Sequence, residues 1–147
     1  MKHARKIKHL YHLSDRNHDG EVFAPRVPAS IAQHENSSVK RVCFSTTMSG
    51  AFKAISQCYY DHIQKLYIHV PESMPEKILK PDEYDVYDVE LTKEKWVIEK
   101  VKMKCIGCAI FRGYEHDDDE IPAKVNIQWI EKYNQDETQK SKSKRNR

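Results

Sequence analysis

A chain of 147 residues with four cysteines and a formal charge of +3 has room for one core, burying about two thirds of the surface that its unfolded form exposes. No run approaches the roughly 20 apolar residues that a bilayer crossing needs, which excludes a helical membrane span. The basic start, Met1-Lys2-His3-Ala4-Arg5-Lys6, has no apolar stretch or cleavage site behind it, which argues against a secretory signal and for a cytoplasmic protein. Four cysteines are too few for a disulfide scaffold and read as thiols in a reducing compartment.

The charge is unevenly placed. Residues 134–147 hold Lys140, Lys142, Lys144, Arg145 and Arg147 against Asp136 and Glu137, so the tail alone accounts for +3. The first nine residues add four cations, which leaves residues 10–133 at −4. An acidic body argues against a nucleic-acid reader, since phosphate neutralisation supplies most of such binding; only the basic ends offer that contact. The tail has no apolar residue to bury and is expected to be disordered, with residues 1–133 forming one α+β domain.

Taken in order, residues 7–13 are bulky and free of Gly and Pro, which suits a first strand. Asp19-Gly20, Pro25 and Pro28 then break the chain into turns, and polar residues continue to Lys40. Residues 41–45 read as a strand. Phe52, Ile55, Tyr59 and Ile63 recur at helical spacing, predicting an amphipathic helix over 49–64 with Thr47 or Ser49 as its N-cap. Residues 66–70 form a strand ended by Pro71; 71–81, with three prolines, reads as loop; 85–91 is ambiguous. Residues 96–102 alternate as a strand, 103–111 continue as strands around Gly107, and Val125, Ile127 and Trp129 mark a last strand. With one main helix and no βαβ rhythm, the expected fold is two packed, largely antiparallel sheets, a split β-sandwich.

Two metal motifs fail on inspection. Residues 15–20 open like a calcium loop, but the twelfth position is Arg26 where a bidentate Glu is required, so the segment reads as a polar turn. Cys105 and Cys108 have half a zinc site's spacing with Gly107 to permit a turn, yet Cys43 and Cys58 form no second pair. No metal is expected. No phosphate-cradling glycine loop occurs, no serine stands in a GxSxG elbow, and no cysteine has a helix N-terminus to activate it.

Three segments carry chemistry by their order. Tyr11-His12-Leu13-Ser14 closes the first strand, 42–52 runs from a strand through a hydroxyl-rich turn into a helix, and Thr92-Lys93-Glu94-Lys95-Trp96 puts a Glu at a strand entrance. In that order they resemble the signature regions of ADP-ribosyltransferases of the poly-ADP-ribose polymerase and diphtheria-toxin type. That resemblance implies NAD as substrate, Glu94 as the catalytic carboxylate, His12 on the nicotinamide-side ribose and Ser14 near the carboxamide. It implies a nicotinamide pocket shaped by Ser45, Thr46 and Ser49, and Arg26 reaching the adenine or pyrophosphate end. Two positions depart from the family's pattern. Leu13 follows His12 where a small residue is usual, and Cys43 stands where a stacking Tyr is usual, so Phe44, Phe52 or Tyr59 would have to stack on the ring. The acceptor would be a host macromolecule, in the first instance a protein.

The same residues also allow plainer roles: Tyr11 and His12 as strand residues, 45–49 as a capping region, Glu94 as part of a solvated turn. The wider pattern, with Pro25-Arg26-Val27-Pro28 and Tyr67-Ile68-His69-Val70-Pro71-Glu72, resembles small bacteriophage or prophage proteins. It implies a phage or bacterial cytoplasm and leaves open a non-catalytic protein that binds or inhibits a host factor.

Overall fold

A computed structural model describes residues 7–28, 35–55, 63–112 and 124–130. The expected disordered tail, the Cys58 and Tyr59 part of the expected helix, and the acidic stretch 117–120 lie outside these residues. Among the described residues, eight strands and two helices follow in the order β1 (His12–Ser14), β2 (Val22–Phe23), β3 (Val42–Ser45), α1 (Met48–Ile55), β4 (Ile63–Pro71), β5 (Ile78–Leu79), α2 (Val89–Thr92), β6 (Glu94–Val97), β7 (Val101–Arg112) and β8 (Lys124–Trp129).

The fold is α+β, with two antiparallel sheets. The larger runs β1-β4-β7-β2, and β8 shares the edge of β7 with β2. The smaller runs β3-β6-β5. They meet where Tyr11, just before β1, bridges Ser45 at the end of β3, each backbone N–H donating to the other's carbonyl at 2.8 and 2.9 Å. Because Ser45 also pairs with Glu94 on β6, Tyr11, Ser45 and Glu94 fall in one row across three strands.

Two apolar clusters hold this arrangement. Leu66 and Ile68 of β4 and Ile106 and Ala109 of β7 are fully buried under Ala51 and Phe52 of α1, joined by Leu13. Each large aliphatic side chain so buried contributes about 1.5–3 kcal/mol. Leu10, Val42, Phe44, Val97, Val101 and Met103 form the second cluster.

Helix α1 starts where the hydroxyl-rich turn predicts. Thr47 Oγ1 accepts the N–H of Gly50 at 2.9 Å, satisfying one of the free donors of the first turn. Gly50 is required for a different reason: a Cβ there would lie 2.2 Å from the carbonyl oxygen of Thr92, so only glycine lets α1 approach the end of α2.

Four expectations are corrected. The helix does not extend to residue 64, because Ile63 opens β4 and pairs with Arg112. Helical spacing and a long strand both admit an Ile there, and the ladder with β7 takes it. The expected strand 96–102 is two strands, broken where the Glu99 carboxylate accepts the N–H of Lys77 at 2.8 Å and Ile98 N–H donates to Lys77 O at 3.0 Å. The loop 71–81 contains the short strand β5, which pairs with Val97 and Trp96. The first strand is shorter than expected, with residues 7–10 lying ahead of β1 as irregular chain.

Cys105 and Cys108 lie along β7 rather than on a turn. The register slips between Ile68/Gly107 and His69/Cys105, so Ile106 is the extra residue of a β-bulge. Gly107 is needed because a Cβ would sit 2.9 Å from Gln128 O and 3.1 Å from the Trp129 ring of β8. Among the described residues, no helix is long and apolar enough to cross a membrane.

Candidate functional site

The junction of the two sheets is hollow on both sides of His12. A cavity of about 230 Å³ is lined by His12, Phe44, Ser45 and Glu94, with Glu35 and Ala51 among its other walls. A larger cleft of about 770 Å³ is lined by His12, Ser14, Arg16, His18, Arg26 and Cys43, among others. His12, Pro28 and Cys43 line both.

His12 is fixed by its backbone neighbourhood. Its Nδ1–H donates to the Cys43 carbonyl at 3.0 Å, which settles the tautomer and leaves Nε2 as the lone-pair nitrogen without a partner among the described residues. Phe23, Phe44 and His69 surround the ring edge-on at 5.7, 6.0 and 6.1 Å between centroids. Burial, and then the nearby His18 and Arg26, hold its pKa below the ordinary imidazole value. At neutral pH this is a neutral acceptor facing a polar cavity.

Glu94 is positioned from both ends. The preceding residue, Lys93, caps α2 in the left-handed region at φ 55°, and its carbonyl accepts the N–H of Thr46 at 3.1 Å. Such a conformation costs a non-glycine residue about 1 kcal/mol and here turns the chain sharply into β6. Two residues on, the Trp96 indole N–H donates to Glu94 Oε2 at 2.7 Å. The carboxylate is thus held through one oxygen. Burial raises its pKa and the Trp96 bond opposes that rise, while the charges of Glu35 and Asp88 add to it and that of Arg41 opposes it.

Behind Glu94 lies a buried cation. The Arg41 guanidinium stacks on the Trp96 ring at 4.0 Å, donates to Val39 O at 2.8 Å and to Glu35 Oε2 at 3.1 Å, and its Nε has no geometric hydrogen-bond partner among the described residues. The Cys43 thiol is pushed up to about 12, first by burial and then by the charge of Glu94. It is therefore a protonated wall, not a nucleophile.

The expected site residues divide between the two hollows. His12, Phe44, Ser45 and Glu94 share the smaller one; Ser14 and Arg26 line the larger. Thr46 and Ser49 line neither, and Ser49 is exposed on the first turn of α1. Phe52 lies in the core under α1.

Sequence reasoning missed His18, Glu21, His69, Glu35 and Arg41. His69, fully buried on β4, accepts the N–H of His18 at Nε2 (2.9 Å) and donates from Nδ1 to His12 O at 3.3 Å. These pairs are 51 and 57 residues apart, so no local pattern announces them. Among the described residues no group of three or more His, Cys, Asp or Glu is placed to hold a metal ion. In comparisons with known proteins, no family model, no curated protein and no solved structure matches the chain.

Proposed function

We propose that the two hollows together bind NAD, and that the protein cleaves the nicotinamide glycosidic bond and transfers ADP-ribose to a macromolecule, a host protein being the first candidate. The observation that carries this reading is the shared cavity. Residues from three distant segments, His12, Phe44 with Ser45, and Glu94, which the ADP-ribosyltransferase resemblance assigns to one nicotinamide site, line the same space of about 230 Å³.

The chemistry fits the groups. As the bond from ribose C1′ to the nicotinamide nitrogen lengthens, its electron pair leaves with nicotinamide and positive charge builds on the sugar ring. A carboxylate bound to a ribose hydroxyl favours that charge more in the transition state than in the ground state. Glu94 is anchored by Trp96 through one oxygen, which leaves the other for such a contact. His12 would accept a ribose hydroxyl proton at Nε2, and the edge of Phe44 would form the apolar floor. The larger cleft, with Arg16 and Arg26 on its wall, has the volume and charge for the diphosphate and adenosine.

The test is nicotinamide release from NAD by the full chain and by Glu94→Gln. Wild type should release nicotinamide, and Glu94→Gln, which keeps the volume and loses the charge, should be slower by about 100-fold or more. No release by the wild type, or equal rates in both proteins, overturns the proposal and leaves a binding protein.

A further inference from the structure

We propose a second reactive centre in the larger cleft: Ser14, His18 and Glu21 form a nucleophile, base and orienting carboxylate that cleave esters of acids carrying an anionic group. The Ser14 hydroxyl lies 2.9 Å from His18 Nε2, and His18 Nδ1 is bonded to Glu21 Oε2. A carboxylate only accepts, so Nδ1 carries a proton, and in the neutral imidazole Nε2 then holds the lone pair. Ser14 O–H therefore donates to His18, the arrangement that activates a serine. All three residues line the cleft of about 770 Å³.

The loop that carries them is built onto the large sheet. His18 N–H donates to the buried His69 ring at 2.9 Å, and Asp19 Oδ1 accepts the N–H of Cys105 at 2.9 Å. Gly20 N–H donates to Met103 O, and Met103 N–H to Glu21 O, both at 2.8 Å. Gly20 takes φ 80°, open to glycine without strain, and lets the chain return to β7 between these bonds. Each member of the set is thereby tied to β1, β4 or β7, the rigid support that a reacting constellation needs.

The walls define the substrate. Phe23, Pro25 and Pro28 contribute apolar lining, and the Arg16 and Arg26 guanidinium groups, in no ion pair among the described residues, contribute cationic charge beside Asp15 and Glu21. An acyl group ending in a carboxylate or phosphate suits that pairing. In the reaction Ser14 Oγ attacks the ester carbonyl carbon while its proton passes to His18 Nε2. The bond to the alcohol oxygen then breaks, and His18 returns the proton to the departing alcohol. Water then attacks the acyl carbon while His18 Nε2 takes its proton, the bond from that carbon to Ser14 Oγ breaks, and His18 passes the proton to Ser14 Oγ, which frees the acid and restores the serine. Glu21 holds the imidazolium in place throughout.

Labelling of the full chain with a fluorophosphonate probe, followed by peptide mapping, tests the centre. Wild type should take the label at Ser14, and Ser14→Ala should take none. His18→Ala, which keeps the backbone bond to His69, should react about 100-fold more slowly or worse. Glu21→Ala should slow labelling and Glu21→Asp should recover part of it, a rescue that a purely structural role would not give. The chain should also hydrolyse p-nitrophenyl hemisuccinate faster than p-nitrophenyl acetate, a preference that Arg26→Ala should erase. An unlabelled wild type, a label mapped elsewhere, or equal labelling of Ser14→Ala overturns the proposal. None of these measurements uses NAD, so this centre and the NAD reading fail or stand separately.

Discussion

The two sheets are held together by different physics. In the larger one, β4 and β7 pair from Ile63/Arg112 to Pro71/Met103 across a single bulge, and the face under α1 is aliphatic: Leu66, Ile68, Ile106 and Ala109, all at 0% exposure. In the smaller one, strands of four, four and two residues bury Val42, Phe44 and Val97 in the second apolar cluster and add a polar stack of Glu35, Arg41, Trp96 and Glu94. The stack is poorly optimised for stability, since Arg41 Nε has no hydrogen-bond partner among the described residues and burial raises the Glu94 pKa. Groups kept in costly states on a rigid support are the ordinary signature of a site rather than of a core.

Trp96→Ala should separate the two sheets most sharply. Losing a buried aromatic costs about 3–5 kcal/mol, and here it also strips Arg41 and Glu94 of partners. Urea unfolding should show that loss, with nicotinamide release abolished. If stability falls by less than about 1 kcal/mol, the small sheet does not depend on its polar stack.

Acid should act first on the face that the larger sheet turns toward the site. Burial, then the neighbouring His12, depresses the pKa of His69 from 6.5 to about 4. A histidine depressed by folding contributes stability that is full above its unfolded value and is lost as pH falls through 6.5 toward about 4. On the order of 3 kcal/mol is at stake for such a shift, and His12, also depressed, adds to it. Unfolding free energy followed from pH 7.5 to 4 should fall accordingly, and His69→Gln should flatten the curve. A wild-type profile that is already flat would show that neither ring is held neutral by the fold.

A smaller effect belongs to the scaffold alone. Gly107→Ala places a methyl group 2.9 Å from Gln128 O, between β7 and β8. The expected loss is about 1–3 kcal/mol, as for other overpacked sites, with nicotinamide release unchanged below the melting transition. A loss of activity in the folded variant would tie the two regions more closely than their separate cores suggest.

The smallest expected effect has the opposite sign. With its folded pKa raised, Glu94 favours the folded state below its ordinary value of 4.5 and opposes it as pH rises through the folded value. Glu94→Gln should therefore be slightly more stable than wild type at pH 7 while losing activity, and that advantage should vanish below pH 4.5. Thermal unfolding at pH 7 and pH 4 compares the two. A destabilised Gln variant at pH 7 would mean that the Trp96 bond outweighs the burial of the charge.

Much of the framework was legible because local chemistry encodes it: the Thr47 cap, the aliphatic alternation of β4, the punctuation by Gly20 and the prolines. Of the candidate site, His12, Ser45 and Glu94 stood out by order along the chain, and the fold places them on one cavity wall. Sequence order said nothing of Arg41 under Trp96, because a cation at the first position of a predicted strand reads as exposed until a ring from β6 covers it. Ser14 was singled out only for a nicotinamide site, and its grouping with His18 and Glu21 was equally silent. Their spacing of four and three is common in polar turns, and it acquires meaning only when His69 and Cys105, reached through β4 and β7, pin the loop into the cleft. Local propensities act over a few residues, so the sequence by itself determined the α+β class and most element types. The end of α1, the break between β6 and β7, and the meeting of His12 with Glu94 were decided only by strand ladders between segments tens of residues apart, whose hydrogen bonds and burial outweigh any local preference.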